Sequence, residues 1–240
     1  MTAYNDDLAY IHDVGFGFFA EGATAWLLDT LRRRDLSGGL VVDLGCGSGI
    51  WARALVDAGY DVLGIDISAA MIELARRRVP EGDFRVGSFL QAPLPPCEAV
   101  TALGEIFNYL FDQKNSLRAL GGVFRRIYDA LRPDGLLIFD VAEPGRGRGP
   151  RQKHFEGDDW AILTEYEEDP ATQRLTRRIV TFRQEGGLYR RDEEVHRLQL
   201  YRGADVAAAL RRVGFRVRLV RGYGQQRFPN AYVGFIARKP

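Results

Sequence analysis

Three stretches of the chain hold residue types from which a binding or catalytic site can be built. The first is Val41-Val42-Asp43-Leu44-Gly45-Cys46-Gly47-Ser48-Gly49, an apolar run that ends in a carboxylate and opens into alternating glycines. Glycines in such a turn let backbone run close to a ligand and adopt angles closed to other residues. The second is Asp66, which ends a run of apolar residues 17 positions after Gly49. A carboxylate there can accept hydrogen bonds from both hydroxyls of a ribose. The third is the segment Tyr4 to Phe19, aromatic-rich and polar at once, which would gain little as core alone.

The spacing narrows the chemistry. The turn reads GxGxG, and Ile50 stands where a dinucleotide fingerprint has its third glycine. No Lys-Ser/Thr pair follows, so it is not a P-loop. Asp43 would repel a pyrophosphate and suits a ligand with a positively charged amino acid end.

These residues need elements to hold them. Leu40 to Leu44 is a short apolar run of the kind that forms a buried parallel strand. A helix from about Ile50 to Ala58 follows the glycine turn. Asp61 to Asp66 is a second strand, and Ser68 caps a helix through Arg78. Phe84 to Gly87 and Ala99 to Leu103 are further strands. Ser116 to Leu131 is a helix, stopped by Arg132-Pro133-Asp134-Gly135, and Leu136 to Asp140 is a fifth strand. This alternation predicts a Rossmann-like α/β fold, doubly wound, with a seven-stranded, mostly parallel sheet. Upstream, Gly22 to Arg34 reads as an amphipathic helix.

The helical period is lost after Pro144 to Pro150. Trp160 to Glu167, Arg174 to Gln184 and Tyr189 to Tyr201 read as three antiparallel strands, with Gly186-Gly187 as a hairpin turn. A helix from Gly203 to Val213 and strands Phe215 to Val220 and Tyr232 to Ala237 then resume the α/β pattern. The expected organisation is one domain over 1–240, with an antiparallel β meander inserted over 151–202. That insertion would serve as a lid, an acceptor site or a dimer contact.

DLGCGSG followed by GIDIS resembles motif I and the acidic motif of class I S-adenosylmethionine (SAM)-dependent methyltransferases. The resemblance covers about Leu36 to Ala142 and extends to the closing helix and strands. It implies SAM as cofactor, with S-adenosylhomocysteine (SAH) as product. It places Asp43, Gly45, Cys46, Gly47 and Gly49 by the methionine part, Asp66 on the ribose and Ile67 on adenine. Ser88 and Phe89 would lie by the adenine edge, although many relatives have Asp where this chain has Ser88. Leu103 and Glu105 would line the sulfonium end. The N-terminal segment is similar to one that folds over SAM in small-molecule methyltransferases, where Tyr and His side chains can reach the cofactor or acceptor; this singles out Tyr4, Tyr10 and His12, with Tyr10 among the expected cofactor contacts.

Methyl transfer from a sulfonium is an in-line displacement, so the protein must align a nucleophile, exclude water and remove a proton where needed. His12 is the first candidate for a base, followed by His154 and His196, and Glu105 is a second candidate catalytic group. The three histidines lie far apart and show no metal-binding spacing, so no metal is expected.

Bulk properties agree with a soluble enzyme on small molecules. The 240 residues are 46% apolar and 27% charged, with 33 Lys plus Arg against 32 Asp plus Glu. A net charge of +1 gives no push toward nucleic acid. The basic clusters Arg32 to Arg34 and Arg76 to Arg78 close helices, where cations complement the helix dipole. Two cysteines without a CxxC, no leader-like start and no membrane-length apolar run lead to an expected cytoplasmic location. The expected partner is a small-molecule acceptor, methylated on nitrogen or oxygen, with neither nucleic acid nor membrane; the meander is compatible with a homodimer. The alternatives are an NAD-dependent oxidoreductase, a non-catalytic SAM-binding module and a methyltransferase acting on RNA or protein. The first lacks its third glycine, and Asn108-Tyr109 lacks the prolines of the common nucleic-acid groups.

Overall fold

Short runs of β-branched and apolar residues bounded by glycines build the central sheet, because such runs are buried on both faces. The computed structural model describes residues 3–240. Five strands, β1 (Gly39–Leu44), β2 (Tyr60–Asp66), β3 (Asp83–Val86), β4 (Cys97–Ala102) and β5 (Leu131–Ala142), run parallel in the order β3-β2-β1-β4-β5. Strand β13 (Tyr232–Arg238) joins β5 antiparallel and β10 (Arg216–Val220) joins β13 antiparallel, so β13 alone runs against the other six strands of the sheet. This is the expected seven-stranded, doubly wound sheet.

Successive side chains of each strand enter opposite cores. Val42 and Phe139 join one cluster with Phe107 and Phe124; Val41 and Ile138 join the other with Trp51, Leu55 and Ile72. Phe107 packs edge-on against Phe124 and Phe139 at 5.8 and 5.0 Å. Burying each such ring contributes roughly 1.5–3 kcal/mol. Helices α5 (Leu117–Ala130) and α6 (Gly203–Val213) cover the first cluster; α2 (Phe18–Arg32), α3 (Ile50–Asp57) and α4 (Ala69–Arg78) cover the second. Ser68 and Ser116 cap α4 and α5 through their hydroxyls, and Gly214 closes α6 in the left-handed region.

The structure departs from the sequence expectation in three places. The N-terminal segment forms a helix, α1 (Asp6–Phe16), ahead of a longer α2. Strand β5 begins early: Leu131 pairs with Cys97, Arg132 to Gly135 bulge out, and Leu136 resumes pairing with Ala99. The meander has four strands, not three, because β6 (Gln152–Glu156) pairs with β7 (Trp160–Asp169), followed by β8 (Arg174–Glu185) and β9 (Leu188–Gln199). All five β6 residues are exposed, so no alternation of burial marks it. The remaining pair, β11 (Gly222–Tyr223) and β12 (Gln226–Arg227), forms a small hairpin beside α2.

Candidate active site

The carboxyl ends of β1, β2 and β4 meet α1 and the meander around a cavity of ≈ 500 Å³. Open α/β sheets bind ligands at this edge, where the strand order reverses.

One wall comes from the glycine turn. Gly45 (φ +69°) and Gly47 (φ +53°) hold angles that side chains rarely adopt. A Cβ on Gly45 would strike Ile106, whereas one on Gly47 would enter open space, within the cavity wall. Gly49 lies outside that wall; it is the N-cap of α3, and a Cβ there would meet Ala75 at 3.1 Å. The motif expectation puts Gly49 by the ligand, whereas the structure puts it at the start of α3, behind the cavity wall.

Two carboxylates flank the turn. Asp43 is buried and accepts a bond from Thr101 Oγ1 at 2.7 Å, and Trp51 Nε1 donates to the same hydroxyl at 3.2 Å. Burial drives the Asp43 pKa up from 3.8 to about 7, against the opposing Thr101 bond. Asp66 accepts the N–H groups of Gly47 and Ser68, each at 2.9 Å. Its pKa is also raised by burial, with these bonds opposing. Neither carboxylate has a cationic partner among the described residues. Cys46, Ile67, Ser88, Phe89 and Leu103 share the same cavity wall. The Ser88 hydroxyl donates to Asp112 at 2.8 Å.

The loop after β4 is held by a residue the motif does not flag. Asp140, at 0% exposure, accepts the N–H groups of Gly104 and Glu105 and the hydroxyls of Tyr223 and Tyr232. Burial still raises its pKa to about 6. This clamp holds Glu105 at φ +64° and directs its buried carboxylate to Arg146 (2.8 Å) and Arg177 (2.5 Å). Burial alone would raise the Glu105 pKa, but the two guanidiniums outweigh it and the net shift is downward. Glu105 is thus a saturated ion-pair centre at the cavity wall.

The opposite wall is made by α1 and strands β7 to β9. Leu8 and His12 share one face of α1 and line the cavity. Tyr10 lies about 200° around the helix from Leu8. Its hydroxyl donates to Asp159 at 2.9 Å and its ring stacks under Arg183 at 3.9 Å, so it faces the meander rather than the cavity. Burial pushes the His12 pKa down to about 4. His154 is exposed on β6, outside the cavity. His196 is 1% exposed on β9, lines the cavity and bonds Glu194 at 2.8 Å. Arg177 lies directly opposite His196 on the neighbouring strand.

Residues 41–135 match the model of a methyltransferase domain family. A protein of Geobacillus sp. (strain WCH70) named as a methyltransferase is 28% identical over 193 residues, 74% of each chain. The alignments with four curated relatives span 47–74% of those proteins' own lengths. The fold is similar to a SAM-dependent methyltransferase from Clostridium acetobutylicum ATCC 824, with TM-score 0.82, 16% identity, and 96% and 97% of the two chains covered. It is also similar to SAM-bound CalS10, an amino pentose methyltransferase from Micromonospora echinaspora, with TM-score 0.77, 18% identity and full coverage of both chains at 100%. The glycine turn, the acid after β2 and the seven-stranded sheet thus occur together with a methyltransferase domain match over residues 41–135, and the fold is that of the class I SAM-dependent methyltransferases.

Proposed function

We propose that the chain transfers a methyl group from SAM to a nitrogen or oxygen of a small molecule held between the glycine turn and the meander. The observation that carries this reading is the pair Asp43 and Asp66, two carboxylates raised by burial and lacking a cation, beside the open backbone of Gly47. That donor set fits SAM: Asp66 would take the ribose hydroxyls, and Asp43 would favour the positively charged methionine end. Gly45, Cys46 and Gly47 would pass close to that end, Leu103 would pack near the sulfonium, and Ile67, Ser88 and Phe89 would flank adenine. SAM, when bound, supplies an electrophilic methyl carbon.

The rest is positioning. Leu8, Phe16, Phe111 and Ile162 wall the acceptor end with apolar surface that excludes water. A cavity lined by α1 and the meander suits a small acceptor, and CalS10, which shares this fold, is an amino pentose methyltransferase. Arg177 has a buried Nε without a partner among the described residues, a donor that an oxygen of the acceptor would satisfy. Among the cavity histidines, His12 holds its proton too weakly to act well near neutrality, which favours His196 as the proton acceptor.

Incubation with methyl-labelled SAM and a panel of hydroxylated and amino small molecules tests the proposal. Label is expected in a small acceptor. Label found only in protein or RNA substrates would overturn it.

A further inference from the structure

The N-terminal segment does more than cover the cavity. Glu194 and His196 sit two apart on β9 and therefore face the same side of the meander. His196 Nε2 lies 2.8 Å from Glu194 Oε2, a contact in which an ionised carboxylate can only accept, and the same oxygen accepts the backbone N–H of Tyr4 at 2.9 Å; Oε1 accepts the N–H of Asn5 at 2.7 Å. The carboxylate is thus shared between an imidazole and a backbone segment 190 residues away. Tyr4 packs its ring on His196 at 4.9 Å, and its hydroxyl lies 3.2 Å from that of Tyr109.

The other side of Tyr4 reaches the cofactor half. Its carbonyl accepts the Ser68 hydroxyl at 2.9 Å, and Ser68 N–H donates to Asp66. Tyr4 adopts φ +48°, an uncommon angle for a side-chain-bearing residue, and this lets its N–H and C=O engage partners on different elements. A continuous path of hydrogen bonds therefore runs Asp66, Ser68, Tyr4, Glu194, His196.

With Nε2–H donated to Glu194, the lone pair of His196 resides on Nδ1, which has no hydrogen-bond partner among the described residues. We propose that Glu194 is a positioning residue that holds His196 in this tautomer, as proton acceptor at the acceptor end, and that docking of Tyr4 and Asn5 completes the arrangement. Closure of the cavity and assembly of the base are then one event. The inference rests on the methyltransferase reading above. In the step it serves, the acceptor atom's lone pair forms the bond to the methyl carbon as the sulfur–methyl bond breaks, leaving a neutral thioether. The acceptor's proton passes to Nδ1 and then to water. The charged and titratable groups around His196 are Glu194 on its own strand, Arg177 on β8, Tyr4 and His12 from the N-terminal segment and helix, and Tyr109 after β4.

The test uses the full chain with ¹⁵N-labelled histidine. Long-range ¹H–¹⁵N spectra report each ring's tautomer, and His→Asn variants assign the three signals. The wild type is expected to show His196 as the Nε2–H form, with slow exchange of the Tyr4 and Asn5 amides. Glu194→Gln is expected to mix the tautomers and to speed those amides at least ~10-fold, a ~1.4 kcal/mol loss of local protection. Asn5→Ala removes only a side-chain bond to Asp192 and leaves Glu194 intact. It is expected to speed the same amides and weaken the tautomer preference, and it keeps the test open if Glu194→Gln does not fold. A wild-type His196 in the Nδ1–H form, or variants that move neither signal, would overturn the proposal. Calorimetry with SAH on the same samples separates the two readings, since failure of the wild type to bind SAH would sink the methyltransferase reading and leave the tautomer result standing.

Discussion

The two walls of the cavity are built on opposite principles. The glycine-turn wall is local: Asp43, Gly45, Gly47 and Asp66 fall within 24 residues and are placed by adjacent parallel strands. The meander wall is assembled across the chain. Asp7 of α1 pairs with Arg183 of β8 and Arg190 of β9, Glu105 pairs with Arg146 and Arg177, and Glu194 binds the backbone of Tyr4 and Asn5. In the first wall two carboxylates have no cationic partner among the described residues, whereas the second pairs its charges internally. The two walls are therefore expected to answer differently to mutation.

The largest effect is expected where the meander wall is cut. Glu105→Ala leaves two guanidiniums without their carboxylate, and loss of such a partner costs about 3–5 kcal/mol. Denaturant unfolding should show a loss of that size; a loss below ~1 kcal/mol would mean that the ion pairs contribute little to joining the walls. In the glycine turn the effect should fall on binding instead. Gly47→Val fills open space in the cavity wall and should reduce SAH affinity by ~100-fold or more, about 2.7 kcal/mol. Near-wild-type affinity would remove the turn from the site.

Asp43 offers a pH test of its uncompensated charge. Its folded pKa of about 7 exceeds the ordinary 3.8, so the folded state binds more protons between those values. Stability from this group is accordingly lost as pH rises through that window. Asp43→Asn, measured without ligand, should gain in melting temperature relative to wild type between about pH 5 and about pH 8. A constant difference would show that the carboxylate is already compensated. The smallest effect is expected at Tyr10. Tyr10→Phe should cost less than ~1.5 kcal/mol of stability through its lost bond to Asp159 and leave SAH affinity unchanged. A clear drop in affinity would place Tyr10 in the cofactor site after all.

The contrast also explains what can be read from sequence. Asp43, Gly47 and Asp66 are legible because strand, turn and helix are contiguous, and spacing alone orders them. Gly49 belongs to the same motif, yet only the folded chain shows that Ala75 leaves no room for a side chain there. Glu194 and His196 carry a weak signal, two polar residues at strand spacing, but their partners Tyr4 and Asn5 do not follow from it. Asp140 has the pattern of an ordinary strand end; its clamp on Gly104 and Glu105 follows from β4 and β5 being neighbours. Tyr10 and His12 are close in sequence and alike in chemistry, and helical geometry sends them to different faces.

The central claim is that Asp43, Gly47 and Asp66 form a SAM site. The most direct measurement is calorimetric titration of the wild type and Asp66→Ala with SAH, with NADH as control. Near-micromolar binding of SAH to the wild type, about −8 kcal/mol, a loss of about 2–3 kcal/mol in the variant and no binding of NADH are expected. Equal SAH affinity in both proteins, or binding of NADH alone, would contradict it.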